Sequence, residues 1–493
     1  MNVATILEET AQKYPDKIAV IFDETQITYK ELNSIVNRLA NGLIKLGCKK
    51  GEIVSIDLPS IPELAISYFS AMKIGCIANV INVMLKADEV RYILNDAGSV
   101  ALITDQEHVD MASKIRSGLP KLKHVIIVDG ETQRPDIISY KELLEKSSDK
   151  LKIADCDKYE MANLLYTSGT TGFPKGVMLS HLNVIDNIVN FAKIHYTKDD
   201  ILMIGAPMFH CWALINGISS IIHAGGTAIV IKRFQVEKVL EMIEKYQPTI
   251  FQGVPTMFNY MLKSPEIEKR DIRSLQFVLS AAASMPEELI KQLKERFNIE
   301  YAEAYGLTEV SPVITTAPWQ KTRYGSCGYA IVDDKGNELK PGEVGELWAR
   351  GTAVMLGYLN KPEATKEAIT PNGWFKTGDI AKMDENGYVY IVDRKKDMIN
   401  VAGFKVYPRE VEEVLYTHPK IADAAVVGIP DEVKGEVPKV FIVLKPGEAA
   451  TEKEIIDYVR EKIAVYKAPR SVEFVKEIPR SPSGKILRRL LRE

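Results

Sequence analysis

The sequence contains few cysteines, and they do not form a recognisable metal or disulfide pattern. Cys48, Cys76, Cys156, Cys211 and Cys327 are scattered along 493 residues without Cys-x-x-Cys spacing. Disulfide frameworks and zinc sites both need cysteines that recur at short, regular spacings. We therefore expect a protein of a reducing compartment, the cytoplasm, and expect neither zinc nor disulfides.

A strong charge of one sign is also missing. The formal net charge is −3, and 26% of the residues are charged against 46% that are hydrophobic. These proportions are ordinary for a globular protein. No nucleic-acid partner is expected, because nucleic-acid-binding domains carry a basic surface.

No long, uninterrupted apolar run is present. The most apolar windows span residues 66–85 and 214–231; Lys73 interrupts the first, and both contain Ser, Asn or Gly. These windows favour buried helices and strands over membrane spans. The N-terminus has no basic leader and carries acidic residues early, so a signal peptide is not expected.

A polar, glycine-rich segment is the most informative part of the chain. Residues 166–176 read Tyr-Thr-Ser-Gly-Thr-Thr-Gly-Phe-Pro-Lys-Gly. Glycines let the backbone approach an anion closely, hydroxyl and N–H groups donate hydrogen bonds to it, and the lysine adds positive charge. Apolar runs at 162–166 and 176–181 predict a buried strand on each side. We interpret the segment as a phosphate-binding loop; the alternative is a polar surface turn.

The segment does not have Walker-loop spacing. That pattern requires Gly, four residues, and then Gly-Lys-Ser/Thr. Here Pro174 stands five positions after Gly169, and Gly176 follows Lys175. A kinase or GTPase of the P-loop type is therefore disfavoured.

Strand-like and helix-like segments alternate from the start of the chain. Residues 18–22, 53–58, 100–104 and 124–128 predict strands, and 28–47 predicts a helix with apolar residues on one face. Such alternation predicts parallel sheets flanked by helices. From about Asp379 the segments become shorter and more charged, which predicts a second domain, as the length of the chain also does.

Five further segments complete a pattern that runs through the chain. They are 305–309, 373–379, 393–398, 403–412 and 479–485. Together with 166–176, they resemble in sequence and order the motifs of the adenylate-forming enzymes: acyl-CoA synthetases, luciferases and peptide-synthetase adenylation domains. Within this family the chain looks most similar to bacterial medium- and long-chain fatty-acid–CoA ligases.

The resemblance implies a mixed α/β fold in two domains. The large N-terminal domain, residues 1–392, would consist of layered sheets flanked by helices with a β-barrel-like subdomain. A hinge at 393–398 would join it to a small, mobile α+β lid at 399–493. The implied reaction uses ATP, Mg²⁺ and coenzyme A to convert a carboxylic acid into its acyl-CoA, with AMP and pyrophosphate as the other products.

The resemblance also assigns the nucleotide site. Thr167 and Glu309 would bind Mg²⁺, Tyr305 would stack on adenine, and Asp379 and Arg394 would bind the ribose hydroxyls. The full implied set is Thr167, Ser168, Gly169, Thr170, Thr171, Gly172, Lys175, Ala282, Glu303, Ala304, Tyr305, Gly306, Thr308, Asp379, Arg394 and Lys485.

Five residues are expected to take part in catalysis: Lys175, His210, Thr308, Glu309 and Lys485. Lys485 resembles the lysine that reaches the α-phosphate and the carboxylate, where charge develops. Thr308 would contact the α-phosphate. His210 is expected to orient the carboxylate, since a carboxylate needs no base.

The remaining assignments concern the acid and coenzyme A. The acyl pocket is expected at His210, Trp212, Gly253, Val254 and Pro255, whose surroundings are apolar. Lys396 matches the hinge position. The segment Ala402, Gly403, Phe404 and Lys405 would line the path of the pantetheine arm.

The chain departs from the family pattern in two places. Ala281 and Ala282 stand where many relatives have two glycines, which would narrow the region beside adenine and the acyl group. The segment after Gly325 is several residues shorter than usual, so a strand of the third subdomain is expected to be truncated.

Several alternatives stay open at this point. The acid could be aromatic or branched, and the acceptor could be a separate carrier protein. A luciferase-like oxidase and a non-catalytic binding protein are the alternatives outside ligase chemistry. A homodimer and peripheral membrane contact through a fatty substrate are also open.

Overall fold

The computed structural model describes residues 1–129, 134–167, 174–283, 285–317, 328–333, 336–481 and 484–492. By packing, the chain divides into two compact units. The first contains 1–285, 289–328 and 350–373; the second contains 286–288, 329–349 and 374–493. Residues 374–392 thus belong with the second unit, and the hinge at 393–398 stays a prediction.

The strands, in chain order, are β1 (Ile18–Phe22), β2 (Thr25–Thr28), β3 (Ile53–Asp57), β4 (Ile77–Val80), β5 (Ala101–Thr104), β6 (His124–Ile127), β7 (Ile138–Ser139), β8 (Met161–Thr167), β9 (Lys175–Ser180), β10 (Ile201–Ile204), β11 (Thr227–Val230), β12 (Ile250–Gly253), β13 (Phe277–Ser280), β14 (Glu300–Gly306), β15 (Val313–Ala317), β16 (Gly328–Val332), β17 (Val344–Arg350), β18 (Gly357–Tyr358), β19 (Phe375–Met383), β20 (Val389–Arg394), β21 (Ile399–Val401), β22 (Phe404–Val406), β23 (Ile421–Asp431), β24 (Gly435–Leu444) and β25 (Ser471–Phe474).

The α-helices are α1 (Thr5–Lys13), α2 (Tyr29–Lys45), α3 (Pro62–Lys73), α4 (Ala87–Ala97), α5 (Val109–Arg116), α6 (Tyr140–Glu145), α7 (His181–His195), α8 (Ser220–Ala224), α9 (Val236–Tyr246), α10 (Pro255–Lys263), α11 (Glu287–Phe297), α12 (Pro362–Ala368), α13 (Pro408–Tyr416) and α14 (Glu452–Lys462). A π-helix spans Trp212–Ser219, and short 3₁₀ turns lie at Pro265–Lys269, Thr308–Val310, Lys395–Asp397, Val465–Lys467 and Arg488–Leu491.

Two eight-stranded sheets form the first unit. The first sheet has the order β15-β14-β13-β12-β10-β11-β1-β2, and the second has the order β18-β9-β8-β4-β3-β5-β6-β7. From β14 to β1 and from β8 to β7 neighbouring strands are parallel, and the strands at the ends of these stretches are antiparallel. The predicted parallel sheets flanked by helices are confirmed.

The second unit contains two smaller sheets. The third sheet has the order β16-β17-β19-β20, and the fourth joins β22-β21-β24-β23 with β25 beside β24. The third sheet lies in this second unit, and the barrel-like subdomain of the N-terminal domain stays a prediction. The fourth sheet, with α13 and α14, forms the predicted α+β region. Part of the shortened segment after Gly325, residues 325–327 and 334–335, lies outside the described residues.

Local sequence signals explain the helices that the sequence predicted. In α2 the Thr28 hydroxyl accepts a hydrogen bond from the Glu31 N–H, and the Glu31 carboxylate accepts one from the Thr28 N–H, forming a capping box. Leu32, Val36 and Leu39 recur at helical spacing and are fully buried. Among the described residues, no helix has both the length and the apolar character needed to cross a bilayer.

A buried histidine supports the hairpin of β14 and β15. The Nε2 of His195, at the end of α7, lies 2.7 Å from the Thr316 hydroxyl, which donates to the Glu303 carbonyl at 3.0 Å. Within the described structure, Nδ1 of His195 has no partner. Burial lowers the pKa of His195 to about 3, so the folded protein holds this imidazole neutral.

We expect the protein to lose stability in acid partly through His195. The unfolded chain protonates this histidine below about pH 6.5, whereas the folded protein resists protonation down to about pH 3. The native state therefore loses about 2–3 kcal/mol from this group between about pH 7 and about pH 4.5. His195→Gln keeps a donor toward Thr316 but does not titrate.

The measurement is the free energy of unfolding in urea at both pH values. Wild type should lose more stability than His195→Gln by this amount. Equal losses in the two proteins would show that His195 does not contribute to acid unfolding.

Candidate functional site

The predicted phosphate-binding segment lies between two paired strands. β8 and β9 are antiparallel, with Thr167 opposite Lys175 at the open end of the pair. Ser168, Gly169, Thr170, Thr171 and Gly172, the predicted phosphate ligands, lie outside the described residues. The described strands confirm that two buried strands flank this segment, and they place Thr167 and Lys175 at its two ends.

Strand β9 also pairs with a distant, very short strand. Tyr358 of β18 lies opposite Val177, and Gly357 lies opposite Met178. This pairing brings the segment around residue 358 to the strand that begins with Lys175.

Tyr358 connects two of the predicted site residues. Its hydroxyl donates a hydrogen bond to Oε1 of Glu309 at 3.0 Å. Nζ of Lys175 lies 5.0 Å from the centre of the Tyr358 ring, within the range of a cation–π interaction. Burial and the neighbouring Glu309 carboxylate raise the pKa of Tyr358, so the phenol stays protonated and donates. The sequence analysis did not identify Tyr358, because a two-residue strand has no periodicity to reveal it.

Helix α7 holds the segments that carry these groups. The side-chain amide of Asn183 donates to the carbonyl of Val354 at 3.0 Å, just before β18. One turn later, the amide of Asn187 donates to the carbonyl of Val313 at 2.9 Å, at the start of β15. Both asparagines are buried, so these bonds form away from competing water.

Strand β14 carries the predicted adenine-side residues Glu303, Ala304, Tyr305 and Gly306. A Cβ at Gly306 would lie 1.8 Å from the carbonyl oxygen of Pro312. Only glycine allows this approach of β14 to the following segment. Tyr305 is half-buried, as a ring that stacks on a ligand must be.

Thr308 and Glu309 form a short 3₁₀ turn directly after β14. The Glu309 carbonyl accepts a hydrogen bond from the N–H of Met355 at 2.9 Å. The Thr308 hydroxyl lies 3.3 Å from Sγ of Cys211, the neighbour of His210. Thr308 is therefore close to the segment predicted to hold the acid.

Ala282 adopts a backbone conformation that alanine rarely takes. Its φ is +70°, in the left-handed region where a Cβ costs about 1–2 kcal/mol. This is one of the two positions where the family usually has glycine. The chain therefore carries a methyl group at Ala282 on a backbone conformation that favours glycine.

The segment predicted to bind the acid begins with half-buried His210 and continues as the buried π-helix Trp212–Ser219. Single π-turns occur frequently at functional sites. Within the described structure, Nε1 of Trp212 and Oδ1 of Asn216 are buried without a hydrogen-bond partner. Nearly all buried polar atoms in folded proteins are paired. These two atoms therefore favour a bound ligand whose polar groups pair with them.

The other pocket residues stand where β12 ends and α10 begins. Gly253, Val254 and Pro255 are all buried. A Cβ on Gly253 would lie 2.9 Å from Cζ of Phe258, so the glycine lets α10 pack closely. The placement of these three residues is compatible with a pocket wall and equally with an ordinary core.

The second unit brings together the predicted ribose-binding pair. Asp379 of β19 lies directly opposite Arg394 of β20, and Nε of Arg394 is 3.6 Å from a carboxylate oxygen of Asp379. The carboxylate of Asp379 is buried, whereas Arg394 is 40% exposed. An aspartate accepting two adjacent hydroxyls is a common way to hold a ribose.

The predicted coenzyme A segment forms a tight hairpin turn. Ala402 and Gly403 both have positive φ, +50° and +90°, which is typical of a two-residue turn between antiparallel strands. Phe404 is 57% exposed and stacks on Tyr466 with ring centres 4.8 Å apart. The Lys396 side chain is exposed to solvent, and partial desolvation followed by the charge of Arg394 lowers its pKa.

Lys485 lies at the end of a short backbone loop. Its N–H donates to the Ser481 hydroxyl at 3.1 Å, and its carbonyl accepts from the Ser481 N–H at 2.8 Å. Arg480 beside it is anchored by a salt bridge to Asp423 at 2.9 Å. The base of this loop is therefore fixed within its own unit.

The structure thus brings Lys175 and Glu309 to Tyr358 in the first unit, with Thr167 opposite Lys175, and pairs Asp379 with Arg394 in the second. The roles assigned to these residues stay predictions.

Comparison with known families agrees with this arrangement. The AMP-binding enzyme model matches residues 7–359, and the AMP-binding enzyme C-terminal domain model matches residues 410–485. The two matches include the motifs at 166–176, 305–309 and 479–485 and the last residues of the motif at 403–412. Residues 360–409, which carry the motifs at 373–379 and 393–398, lie between the two matches.

Individual relatives differ in the acid that their names specify. A 4-coumarate-CoA ligase of Narcissus pseudonarcissus is 34% identical over 98% of this chain and 92% of its own length. A long-chain-fatty-acid–CoA ligase of Bacillus subtilis is 35% identical over 100% of this chain and 94% of its own length. The crystal structure of an anthranilate CoA ligase with anthranoyl-AMP superimposes with a TM-score of 0.92 at 29% identity, covering 100% of this chain and 96% of that one.

We expect Tyr358→Phe to weaken the use of Mg-ATP. The change removes the hydroxyl that donates to Glu309, and a hydrogen bond to a charged group contributes about 1.5–3 kcal/mol. The value of kcat/KM for ATP should fall by about tenfold or more, with a stronger dependence on Mg²⁺ concentration. Tyr159→Phe, which removes an exposed hydroxyl, is the matched control.

Initial rates at varied Mg-ATP measure this effect. If Tyr358→Phe and Tyr159→Phe both behave as wild type, the bond to Glu309 has no part in nucleotide use.

Proposed function

The chain belongs to the AMP-binding enzymes and is an ATP-dependent acid–CoA ligase that acts through an acyl adenylate; from this premise we propose that its acid is a medium- or long-chain fatty acid. Its small-molecule partners are the acid, ATP and coenzyme A. The site geometry that most supports the use of ATP is the contact of Tyr358 with both Glu309 and Lys175. The fatty-acid proposal is supported by the uncharged, buried segments predicted to hold the acid.

The reaction proceeds in two steps. A carboxylate oxygen attacks the α-phosphorus of ATP, the bond to the bridging oxygen breaks, and pyrophosphate leaves. The thiolate sulfur of coenzyme A then attacks the acyl carbon, and AMP leaves with the oxygen that came from the carboxylate. The first step brings two anions together, so the site must supply donors and positive charge.

The first unit has the groups that this step needs. Lys175 would supply positive charge to the phosphates, next to the segment rich in hydroxyls and glycines. Thr167 and Glu309 offer a hydroxyl and a carboxylate oxygen, a donor set that suits Mg²⁺ because this ion prefers oxygen ligands and keeps part of its water shell. A bound Mg²⁺ would neutralise phosphate charge; Tyr358 would keep the Glu309 carboxylate in place.

The apolar segments predicted to form the acid pocket support a hydrophobic acid with a single carboxylate. The side chains of the π-helix Trp212–Ser219 and of residues 252–258 include no charged group. Ala213, Leu214, Ile215 and Ile218 are completely buried. A second carboxylate or an amino group on the substrate would find no charged partner among these residues.

An aromatic acid with a polar ring substituent is the second candidate. Nε1 of Trp212 is a donor and Oδ1 of Asn216 an acceptor, and both lack a partner in the described part of the chain. A ring hydroxyl or amino group could pair with them, which an alkyl chain cannot do. A site built this way discriminates strongly against an acid that lacks the polar group.

Several further parts of the proposal extend the family assignment. His210 would orient the carboxylate, Thr308 and Lys485 would contact the α-phosphate, and Asp379 with Arg394 would hold the ribose. Lys396 would act as the hinge for the lid, with Ala402–Lys405 beside the pantetheine arm. We also propose a cytoplasmic location. A separate carrier protein is the alternative acceptor of the acyl group. A homodimer and peripheral membrane contact are further parts of the proposal.

The acid preference can be measured directly by AMP release. Purified protein receives Mg-ATP, coenzyme A and one acid at a time, from acetate to palmitate, together with benzoate, cinnamate and 4-hydroxycinnamate. The fatty-acid proposal predicts the highest kcat/KM among straight-chain acids of medium or long chain. A preference for 4-hydroxycinnamate over cinnamate would instead support the aromatic acid and the role of the unpaired Trp212 and Asn216 atoms.

The two steps can be separated with Lys485 and Lys396. We expect Lys485→Ala to lower adenylate formation by about 10²–10³-fold, because the lysine supplies charge where it develops, while preformed acyl adenylate still reacts with coenzyme A. Lys396→Pro, which restricts the backbone at the proposed hinge, should retain adenylation and slow thioester formation.

Pyrophosphate release without coenzyme A measures the first step, and thioester formation from synthetic acyl adenylate measures the second. An equal loss of both steps in Lys485→Ala would contradict its assigned role. Retention of both steps in Lys396→Pro would contradict the hinge.

A further inference from the structure

The second sheet contains a buried carboxylate that the ligase reaction does not use. Asp57 ends β3, and its side chain is completely shielded from solvent. Within the described structure, neither of its carboxylate oxygens has a hydrogen-bond partner. An ionised carboxylate in this situation is strongly disfavoured unless a proton or a cation accompanies it.

Asp57 stands at the place in the sheet where open α/β proteins commonly bind their ligands. The order β4-β3-β5-β6-β7 within the second sheet follows the arrangement 2-1-3-4-5 of open α/β sheets. In such sheets the chain turns to opposite sides after β3 and after β5, which leaves a crevice at the carboxyl ends of these strands. Asp57 stands at the end of β3, directly opposite Thr104 at the end of β5.

Other oxygen donors stand at or directly after the end of β5. The hydroxyl of Thr104 is also buried, and no hydrogen bond to it is present among the described residues. Asp105 follows Thr104 and is buried, with its Oδ1 engaged by His108. The ligating atoms of Asp105, Glu107 and His108 all lie within 4.8 Å of one another.

His108 is held in place rather than free to bind a metal. Its Nδ1 lies 2.6 Å from Oδ1 of Asp105, and its Nε2 lies 3.1 Å from the carbonyl of Val83. Both ring nitrogens are thus engaged by oxygen atoms of the protein. His108 therefore positions Asp105 and leaves the carboxylates to act as ligands.

The charges of this group favour a cation. Asp57, Asp105 and Glu107 are carboxylates, opposed by His108 and by the exposed Arg233, which is 3.6 Å from Glu107. Burial raises the pKa of Asp57 to about 6, with smaller effects from His108, which lowers it, and Asp105, which raises it. Among the described residues the buried Asp57 carboxylate has no hydrogen-bond donor to compensate a charge, so a bound cation would stabilise its ionised form.

We propose that Asp57, Thr104 and Asp105 bind a hard divalent cation of the Mg²⁺ and Ca²⁺ type at the end of β3 and β5. Carboxylate and hydroxyl oxygens are the ligands such ions prefer. None of these residues belongs to the proposed nucleotide site, so the cation is not the Mg²⁺ of Mg-ATP. Its role is to neutralise the buried Asp57 carboxylate and to hold the two strand ends together.

Mn²⁺ binding to the full-length protein tests this proposal without nucleotide. Free Mn²⁺ is measured by electron paramagnetic resonance, with Mg²⁺ and Ca²⁺ as competitors. Wild type should bind one Mn²⁺, which both ions displace. Asp57→Asn preserves the side-chain shape and should weaken binding by at least about tenfold, and Thr104→Val should weaken it without changing the charge.

Two controls separate this site from other acidic groups. Asp110→Asn makes the same change on the exposed side of α5, and Glu309→Gln alters the proposed nucleotide site; both should bind Mn²⁺ as wild type does. Thermal unfolding gives a second readout: Mg²⁺ or Ca²⁺ should raise the melting temperature of wild type but not of Asp57→Asn. In a chelator at about pH 8, Asp57→Asn should melt above wild type, because the buried charge is gone.

Three results would overturn the proposal. They are the absence of nucleotide-independent Mn²⁺ binding, equal binding by wild type and Asp57→Asn, and a loss of binding in Glu309→Gln. None of them bears on the ligase assignment, since no step of the experiment requires turnover.

Discussion

The pairing of β9 with both β8 and β18 is the constraint on which the site of the first unit depends. β8 fixes one end of the segment predicted to bind phosphate, and β18 carries Tyr358 to the other end, beside Lys175. The Glu309 carboxylate reaches the same place from the end of β14 and is held by the Tyr358 hydroxyl. One strand thus brings together residues that are far apart in the sequence, and the two buried asparagines of α7 keep the adjoining segments in position.

In the proposed mechanism, the main physical difficulty is to bring a carboxylate and a triphosphate into contact. Repulsion between the anions must be offset by groups fixed before the substrates arrive, since fixed dipoles and charges need no reorganisation. Glu309 is fixed by two hydrogen bonds: its carboxylate accepts one from the Tyr358 hydroxyl, and its backbone carbonyl accepts one from the Met355 N–H. At Gly306 the backbones approach so closely that no side chain would fit. The left-handed Ala282 shows that local strain is tolerated in the same region.

Local patterns sufficed to predict the strands around the glycine-rich segment, the capped helix α2 and the alternation that gives parallel sheets. The family resemblance, now established by matches over both units, supplied the roles of residues such as Glu309 and Lys485. Tyr358 and Asp57 could not be predicted, because their significance arises from pairings with residues far away in the chain. The π-helix was equally hidden, since its residues read as an ordinary buried helix. The acid itself is not encoded in any local motif, and relatives of equal similarity differ in it.

The central claim is that the carboxylate becomes bonded to the α-phosphorus of ATP before the thioester forms. It is tested most directly with a fatty acid carrying ¹⁸O in both carboxylate oxygens, incubated with Mg-ATP and coenzyme A, followed by mass spectrometry of the nucleotide products. The account predicts AMP that contains one ¹⁸O atom for each acyl-CoA formed, and unlabelled pyrophosphate. Formation of ADP with ¹⁸O in inorganic phosphate would indicate an acyl phosphate instead and would contradict the account.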